Sequence, residues 1–200
     1  MSSASLRTDK LTRQFGGHTA VNAVSASFHP GELTVIVGPN GAGKTTYFNL
    51  ISGQLWPSSG HIFKGDTEIT GFSPSARAKA GVGRAFQLTN LFPRLSVLEN
   101  VRLAVQAQQG VGPVIFLTAL SFRKLQEEAH AYLEATRLDR VAHLPVTALP
   151  HGDQRKLEIA LLLALKPDVF MFDEPTAGMS VDEAPVILEL IEDIKKDASK

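Results

Sequence analysis

Hydrophobic and polar positions change their period several times along the chain, and each change marks an element. Val24 to Phe28 and Leu33-Thr34-Val35-Ile36-Val37 read as strands separated by a His29-Pro30-Gly31 turn, the second apolar enough to be buried. From Lys44 to Ser52 the residues Tyr47, Phe48, Leu50 and Ile51 recur at helical spacing, and Gly53 supplies a stop. Strand, glycine loop and helix therefore follow one another directly. After the turn Trp56-Pro57-Ser58-Ser59-Gly60 come two short strands, His61 to Phe63 and Thr67 to Ile69, and then Val82-Gly83-Arg84-Ala85-Phe86 ending on Gln87.

The pattern becomes helical from Val97 to about Gln109 and again from Phe122 to about Arg137, with Gly110-Val111-Gly112-Pro113 between the two stretches. A loop from Pro145 to Gly152 precedes an apolar helix, Gln154 to Leu165. Pro167 and the strand Asp168-Val169-Phe170-Met171-Phe172 follow, closing on Asp173-Glu174. Val181 to Lys196 reads as a last helix, and the tail Lys195 to Lys200 is polar and frayed. There is no internal repeat.

Composition sets outer bounds. A chain of 200 residues, 44% hydrophobic, buries one good core, so one domain with a subdomain is expected. Twenty basic residues balance twenty acidic ones, which gives no global field toward nucleic acid or an anionic membrane. The absence of cysteine removes disulfides, thiolate metal sites and thiol nucleophiles. That absence fits a reducing compartment and makes the cytosol the expected one; the start, Met1 to Arg7, lacks the apolar core of a signal peptide and no apolar run is long enough to span a bilayer, so the chain itself is not expected to cross one.

Chemistry enters at Gly38-Pro39-Asn40-Gly41-Ala42-Gly43-Lys44-Thr45: a glycine, four residues, a glycine, a lysine and a hydroxyl residue, set between a strand and a helix. Glycines let the backbone curl so that consecutive N–H groups converge on phosphate oxygens, and the helix aims its positive end at the same point. Lys44 adds a point charge for the terminal phosphates, and Thr45 offers a hydroxyl to Mg²⁺, which keeps most of its waters. A glycine-rich turn with a solvated lysine is the bland alternative. Asp173 and Glu174 stand at the carboxyl end of an apolar strand, where α/β sheets bind ligands. Asp173 is the expected Mg²⁺ carboxylate. Glu174, expected on the opposite side of the strand, is the candidate general base for a water attacking the terminal phosphate. An acidic pair that only ends a strand is the alternative.

Three further segments fall in order with these: Gln87, Leu149-Pro150-His151-Gly152-Asp153-Gln154-Arg155, and Asp173-Glu174-Pro175-Thr176-Ala177-Gly178-Met179. With them the chain resembles the ABC ATPases from about Arg7 to its end. The resemblance implies an α/β fold: a P-loop NTPase core with a mainly parallel sheet, an N-terminal antiparallel β subdomain and a helical subdomain. It divides one domain, 1–200, into a nucleotide-binding β part at 1–87, a helical part at 88–152, and the signature helix, second strand and following helix at 153–200.

In that family Gln87 would touch Mg²⁺ or the attacking water, and Phe15, before Gly16-Gly17, would stack on adenine. A glutamine ending a strand and a core aromatic remain the alternatives. The backbone and side chains from Gly38 to Thr45, with Thr46, would hold ATP. Gly152, Asp153 and Gln154 would clasp the γ-phosphate of ATP bound to the other subunit of a head-to-tail dimer. Pro150 and His151 stand where the usual LSGGQ signature has serine and glycine. Pro150 has neither hydroxyl nor N–H, so the clasp falls to Gly152 and the helix start, with His151 otherwise an ordinary loop residue.

Within the family, Gly83-Arg84-Ala85-Phe86-Gln87, Leu91-Phe92-Pro93, Leu95 to Val101 and Gly152 to Ala160 look like the importers of branched-chain amino acids and amides. That likeness implies membrane permease subunits as partners, a position on the cytoplasmic face of the inner membrane, and no contact with the transported substrate; the zero net charge, with no basic, aromatic-rich stripe, speaks against nucleic acid. Leu88, Leu91, Phe92, Leu95 and Leu98 are candidates for the docking surface, or for subdomain core. The family's switch histidine is absent, because the last histidine is His151; the last core strand is likewise missing, and a C-terminally truncated chain is expected. Ser180 stands where many relatives have an aspartate. A module that binds nucleotide without turnover, a nucleic-acid-linked ATPase and a small-molecule kinase are the competing classes.

Overall fold

The strand β1 (Leu6–Phe15) lies inside an antiparallel sheet, because it pairs on one edge with β2 (His18–Phe28) and on the other with β3 (Ser59–Lys64), which in turn pairs with β4 (Thr67–Glu68). The computed structural model describes residues 6–85, 91–110, 119–177, 179, 181 and 183–198. Leu6, Thr8, Leu11 and Thr12 of β1 are buried. Left-handed backbone at Lys10 (φ 45°), with register shifts on both edges, resets the alternation between Thr8 and Leu11. The two buried threonines are satisfied. Thr8 Oγ1 donates to the Val24 carbonyl at 3.2 Å and shares a 2.8 Å hydrogen bond with the Tyr47 hydroxyl. Thr12 Oγ1 donates to the Lys10 carbonyl at 3.1 Å and accepts from the Ala23 amide at 2.9 Å.

Leu6, Leu11, Val21 and Ile62 of this sheet form one core with Tyr47, Leu50 and Ile51 of α1 (Lys44–Ser52) and with Val82 and Met171. The latter two belong to β5 (Val82–Ala85) and β6 (Val169–Phe172), which pair in parallel. The expected buried strand Leu33 to Val37 is not one. Val35 and Val37 are 71% and 85% exposed and the segment is outside any strand. A strand exists through its ladder, and among the described residues none pairs with this segment.

The carboxyl end of α1 is closed by α2 (Pro74–Lys79), which begins on Pro74 behind a Ser73 cap. Arg77 of α2 is completely buried. Its guanidinium donates to the carbonyls of Leu50 and Ile51 in the last turn of α1 and to those of Thr70 and Phe72. Burial pushes the group down to about 10. All four acceptors are neutral, so the cation is held by carbonyl dipoles and by the negative end of α1.

These elements lie in one compact unit, Met1–Arg84, Pro167–Asp173 and Ile191–Lys200; the other comprises Ala85–Lys166 and Glu174–Leu190. In the second, α3 (Val97–Gln108), α4 (Ala119–Ala135) and α5 (His151–Ala164) enclose Val97, Val101, Val105, Leu125, Leu133 and Leu157. Ser96 caps α3 by accepting from the Glu99 amide at 3.1 Å. Pro150 is the residue before α5, so that helix starts at His151, ahead of the apolar stripe that predicts Gln154. The last helix, α6 (Ala184–Ala198), likewise starts at Ala184 instead of Val181, with Pro185 in its first turn. No described helix is long and apolar enough to cross a membrane.

Replacing Arg77 by methionine strands four buried carbonyls, and the unfolding free energy is expected to fall by about 3 kcal/mol. Urea denaturation measures this. Arg77→Lys recovers only part, because an ammonium lacks the fork that reaches several acceptors; an unchanged midpoint for Arg77→Met would refute the capping role.

Candidate active site

The phosphate loop is shaped by two left-handed glycines, Gly41 (φ 81°) and Gly43 (φ 84°). A side chain at Gly43 would lie 2.1 Å from the Ala20 carbonyl oxygen, so only glycine lets the loop turn into α1 against the neighbouring backbone. Within the loop the Ala42 amide donates to the Pro39 carbonyl at 3.2 Å. Gly43 gives α1 no side-chain cap and its first turn carries no acidic residue. The amino end of α1 thus presents uncapped N–H groups with their positive dipole end. Lys44 Nζ folds onto the same loop, donating to the carbonyls of Gly38 at 2.6 Å and Pro39 at 2.9 Å. Among the described residues its only partners are neutral carbonyls, and a cation so held beside free amides suits a polyphosphate. Asn40 is exposed, Thr45 is exposed and Thr46 half-buried in the first turn.

Asp173 directly follows β6, and one of its oxygens is engaged. Arg84 Nη2 donates to Asp173 Oδ2 at 2.8 Å. The two side chains are only 6% and 11% exposed. Arg84 Nη1 bonds Asn49 Oδ1 at 2.7 Å and Ser52 Oγ at 2.9 Å, both on α1, and the guanidinium lies 5.6 Å from the centre of the Phe48 ring. Burial presses the Arg84 cation below its ordinary value, opposed by the bond and charge of Asp173. Among the described residues Asp173 Oδ1 has no hydrogen-bond partner, and no cluster of three histidine or acidic side chains forms a metal cage. One free carboxylate oxygen and the Thr45 hydroxyl fit a cation that keeps its waters and takes its other ligands from phosphate.

Glu174 is not on the opposite side of a strand. β6 stops at Phe172, and Glu174 adopts left-handed backbone (φ 48°) in a turn where its carbonyl accepts from the Ala177 amide at 3.0 Å. Its side chain is exposed. The two carboxylates are separated by this turn, not by the pleat. Phe15, at the end of β1, is exposed with the Arg13 guanidinium 4.6 Å over its ring, so it is not a core residue. Gln87 and Leu88 lie outside the described residues, as do Gly178 and Ser180.

The signature segment belongs to the second unit. Pro150 precedes α5 without a side-chain cap, His151 is exposed, Gly152 is buried, and Asp153 pairs with Lys156 at 2.7 Å. Gln154 Nε2 donates back to the Leu149 carbonyl at 3.0 Å. A side chain at Gly152 would lie 2.3 Å from Glu183 Oε1, so a carboxylate rests against the start of this helix. Of the candidate docking leucines, Leu98 is core and Leu91 packs on it, whereas Phe92 and Leu95 are exposed. Asn100, itself buried, fixes the Phe92 loop by bonding both its amide (2.8 Å) and its carbonyl (3.1 Å).

Arg84, Asn49 and Ser52 were not legible as site residues. The available signal was a charged side chain inside the short apolar strand Val82 to Ala85, which must find a partner when buried.

A profile described as ABC transporter matches residues 21–177. The chain is 38% identical over 200 residues to the high-affinity branched-chain amino acid transport ATP-binding protein LivG of Escherichia coli (strain K12), covering 98% of this chain and 78% of the relative. It is 35% identical over 205 residues to the corresponding protein BraF of Pseudomonas aeruginosa, covering 98% and 79%. Among solved structures it is similar to the ADP conformation of MJ1267, an ATP-binding cassette of an ABC transporter. That likeness has a TM-score of 0.81 at 27% identity, over 98% of this chain and 78% of that one. It is also similar to the dimeric post-hydrolysis state of the cassette MJ0796 bound to ADP and Pi, with a TM-score of 0.78 at 25% identity, over 96% and 83%.

Gly43→Ala is expected to add about 1–3 kcal/mol of local strain and to displace the loop from the Ala20 carbonyl. Titration with a fluorescent ATP analogue should show lost binding while circular dichroism retains the helical signal; normal affinity would show that the loop tolerates a side chain there.

Proposed function

Because the chain belongs to the ABC transporter family of ATP-binding cassettes, we propose that it is the ATP-binding and hydrolysing subunit of an importer for branched-chain or other hydrophobic amino acids or amides. The observation that carries this is the phosphate loop, with Lys44 lodged among its carbonyls and an uncapped helix start behind it. The likeness to LivG and BraF supports the substrate class.

In this reading the backbone N–H groups from Asn40 to Thr46 and the ammonium of Lys44 bind the phosphates, and Phe15 offers its exposed ring to adenine. Thr45, Gln87 and Asp173 would hold Mg²⁺, which would neutralise charge on the terminal phosphates. Glu174 takes the proton of the attacking water. Its exposed position in a turn is compatible with a site completed by a second subunit. That subunit would bring Gly152, Asp153 and Gln154 to the γ-phosphate, so binding of ATP closes the dimer and hydrolysis opens it. Phe92 and Leu95, exposed on a loop held by Asn100, are the part of the proposed docking surface that a membrane permease subunit would cover. The protein then works at the cytoplasmic face of the inner membrane.

A second reading, nucleotide binding without turnover, draws on Pro150, which leaves the signature helix without a side-chain cap. The two separate on mutants. Lys44→Ala is expected to abolish tight ATP binding. Glu174→Gln is expected to retain it and to run as a dimer with Mg-ATP in size-exclusion chromatography, with phosphate release lost relative to the unsubstituted chain. A Glu174→Gln variant that stays monomeric sinks the clamp, and an unsubstituted chain with no phosphate release selects the second reading.

A further inference from the structure

Asp173 and the helix of the phosphate loop share one side chain. Arg84 spends Nη2 on Asp173 Oδ2 and Nη1 on Asn49 Oδ1 and Ser52 Oγ. Thr45, Asn49 and Ser52 stand four and three residues apart, which puts them on one stripe of α1. The stripe that begins with the hydroxyl proposed for Mg²⁺ therefore continues into the two groups that hold Arg84. A planar guanidinium with both ends occupied fixes an angle as well as a distance, which a lysine cannot do. Its Nε–H is buried with no hydrogen-bond partner, so the group is placed by its two terminal nitrogens. Coming from strand β5, Arg84 reaches one oxygen of Asp173 and leaves Oδ1 free.

We propose that Arg84 is a positioning residue that locks Asp173 to the Thr45-bearing stripe of α1 and so sets the direction in which the free carboxylate oxygen meets Mg²⁺. In this proposal Arg84 is a ligand of neither metal nor nucleotide. It acts on the metal through Asp173, as partners of metal-facing carboxylates do. The inference rests on the reading of Asp173 as the Mg²⁺ carboxylate.

The test is the gain in ATP affinity on adding Mg²⁺, measured by calorimetric titration of the full chain in Mg²⁺ and in EDTA. Arg84→Gln is expected to reduce that gain about tenfold, the scale typical of a residue that orients a metal ligand, with the affinity in EDTA unchanged. Arg84→Lys is expected to restore only part. Should Arg84→Gln fail to fold, as judged by circular dichroism, the pair Asn49→Ala with Ser52→Ala tests the same link with the ion pair intact. It is expected to reduce the gain in the same direction. An undiminished gain in the variants that fold, or an equal loss with and without Mg²⁺, overturns the proposal. Asp173→Asn separates it from its premise: if that variant keeps the full gain, the reading of Asp173 fails, whereas if it loses the gain and the Arg84 variants do not, only the role of Arg84 fails.

Discussion

The placement of α1 depends on a cation at its far end. Arg77 gathers the carbonyls of Leu50, Ile51, Thr70 and Phe72, joining the last turn of the helix to the chain that follows β4. At the other end Gly43 lies against the Ala20 carbonyl, and midway Tyr47 reaches Thr8 through its hydroxyl. Burial pushes that phenol up, with the Thr8 bond opposing, so it stays neutral in the core. A helix fixed at both ends and along its buried face cannot tilt or slide without breaking several hydrogen bonds together. Everything proposed for the phosphates, from the amides at Gly43 to the hydroxyl of Thr45, inherits its position from that fixture.

The division into two compact units separates two kinds of candidate chemistry. Phosphate loop, Phe15 and Asp173 stand with the antiparallel sheet and α1; the signature, Glu174 and the exposed Phe92 loop stand with the helical unit. The boundary falls between Asp173 and Glu174, at the turn where Glu174 takes a left-handed backbone. One peptide bond thus joins a carboxylate locked by Arg84 to one that is free of any strand.

Much of this was legible in the sequence where local signals agree. The helix from Lys44 to Ser52 was, because glycines flank an apolar stripe, and so were the residues ending β6. β1 was hidden for a physical reason: Thr8 and Thr12 read as polar yet are buried with their hydroxyls satisfied, and the irregularity at Lys10 breaks the alternation. Leu33 to Val37 failed in the opposite sense. Its composition suits a strand, but pairing is a property of neighbours and not of the segment. The site divides in the same way. A phosphate loop is local and announces itself, whereas Arg77 looks like any surface arginine until the fold brings acceptors to it, and Arg84 shows only as a charge within a short apolar strand.

The Arg77 joint also has a consequence for how the protein responds to its surroundings. Surface pairs such as Arg137 with Glu189 weaken as salt rises, because mobile ions replace each partner. Arg77 is sealed from solvent and holds no anion, so dissolved ions have neither access to it nor a partner to displace. The Arg77 joint is therefore indifferent to ionic strength, and a salt dependence of nucleotide affinity reports on charges elsewhere, those of the loop, of the Arg84–Asp173 pair and of the ligand among them.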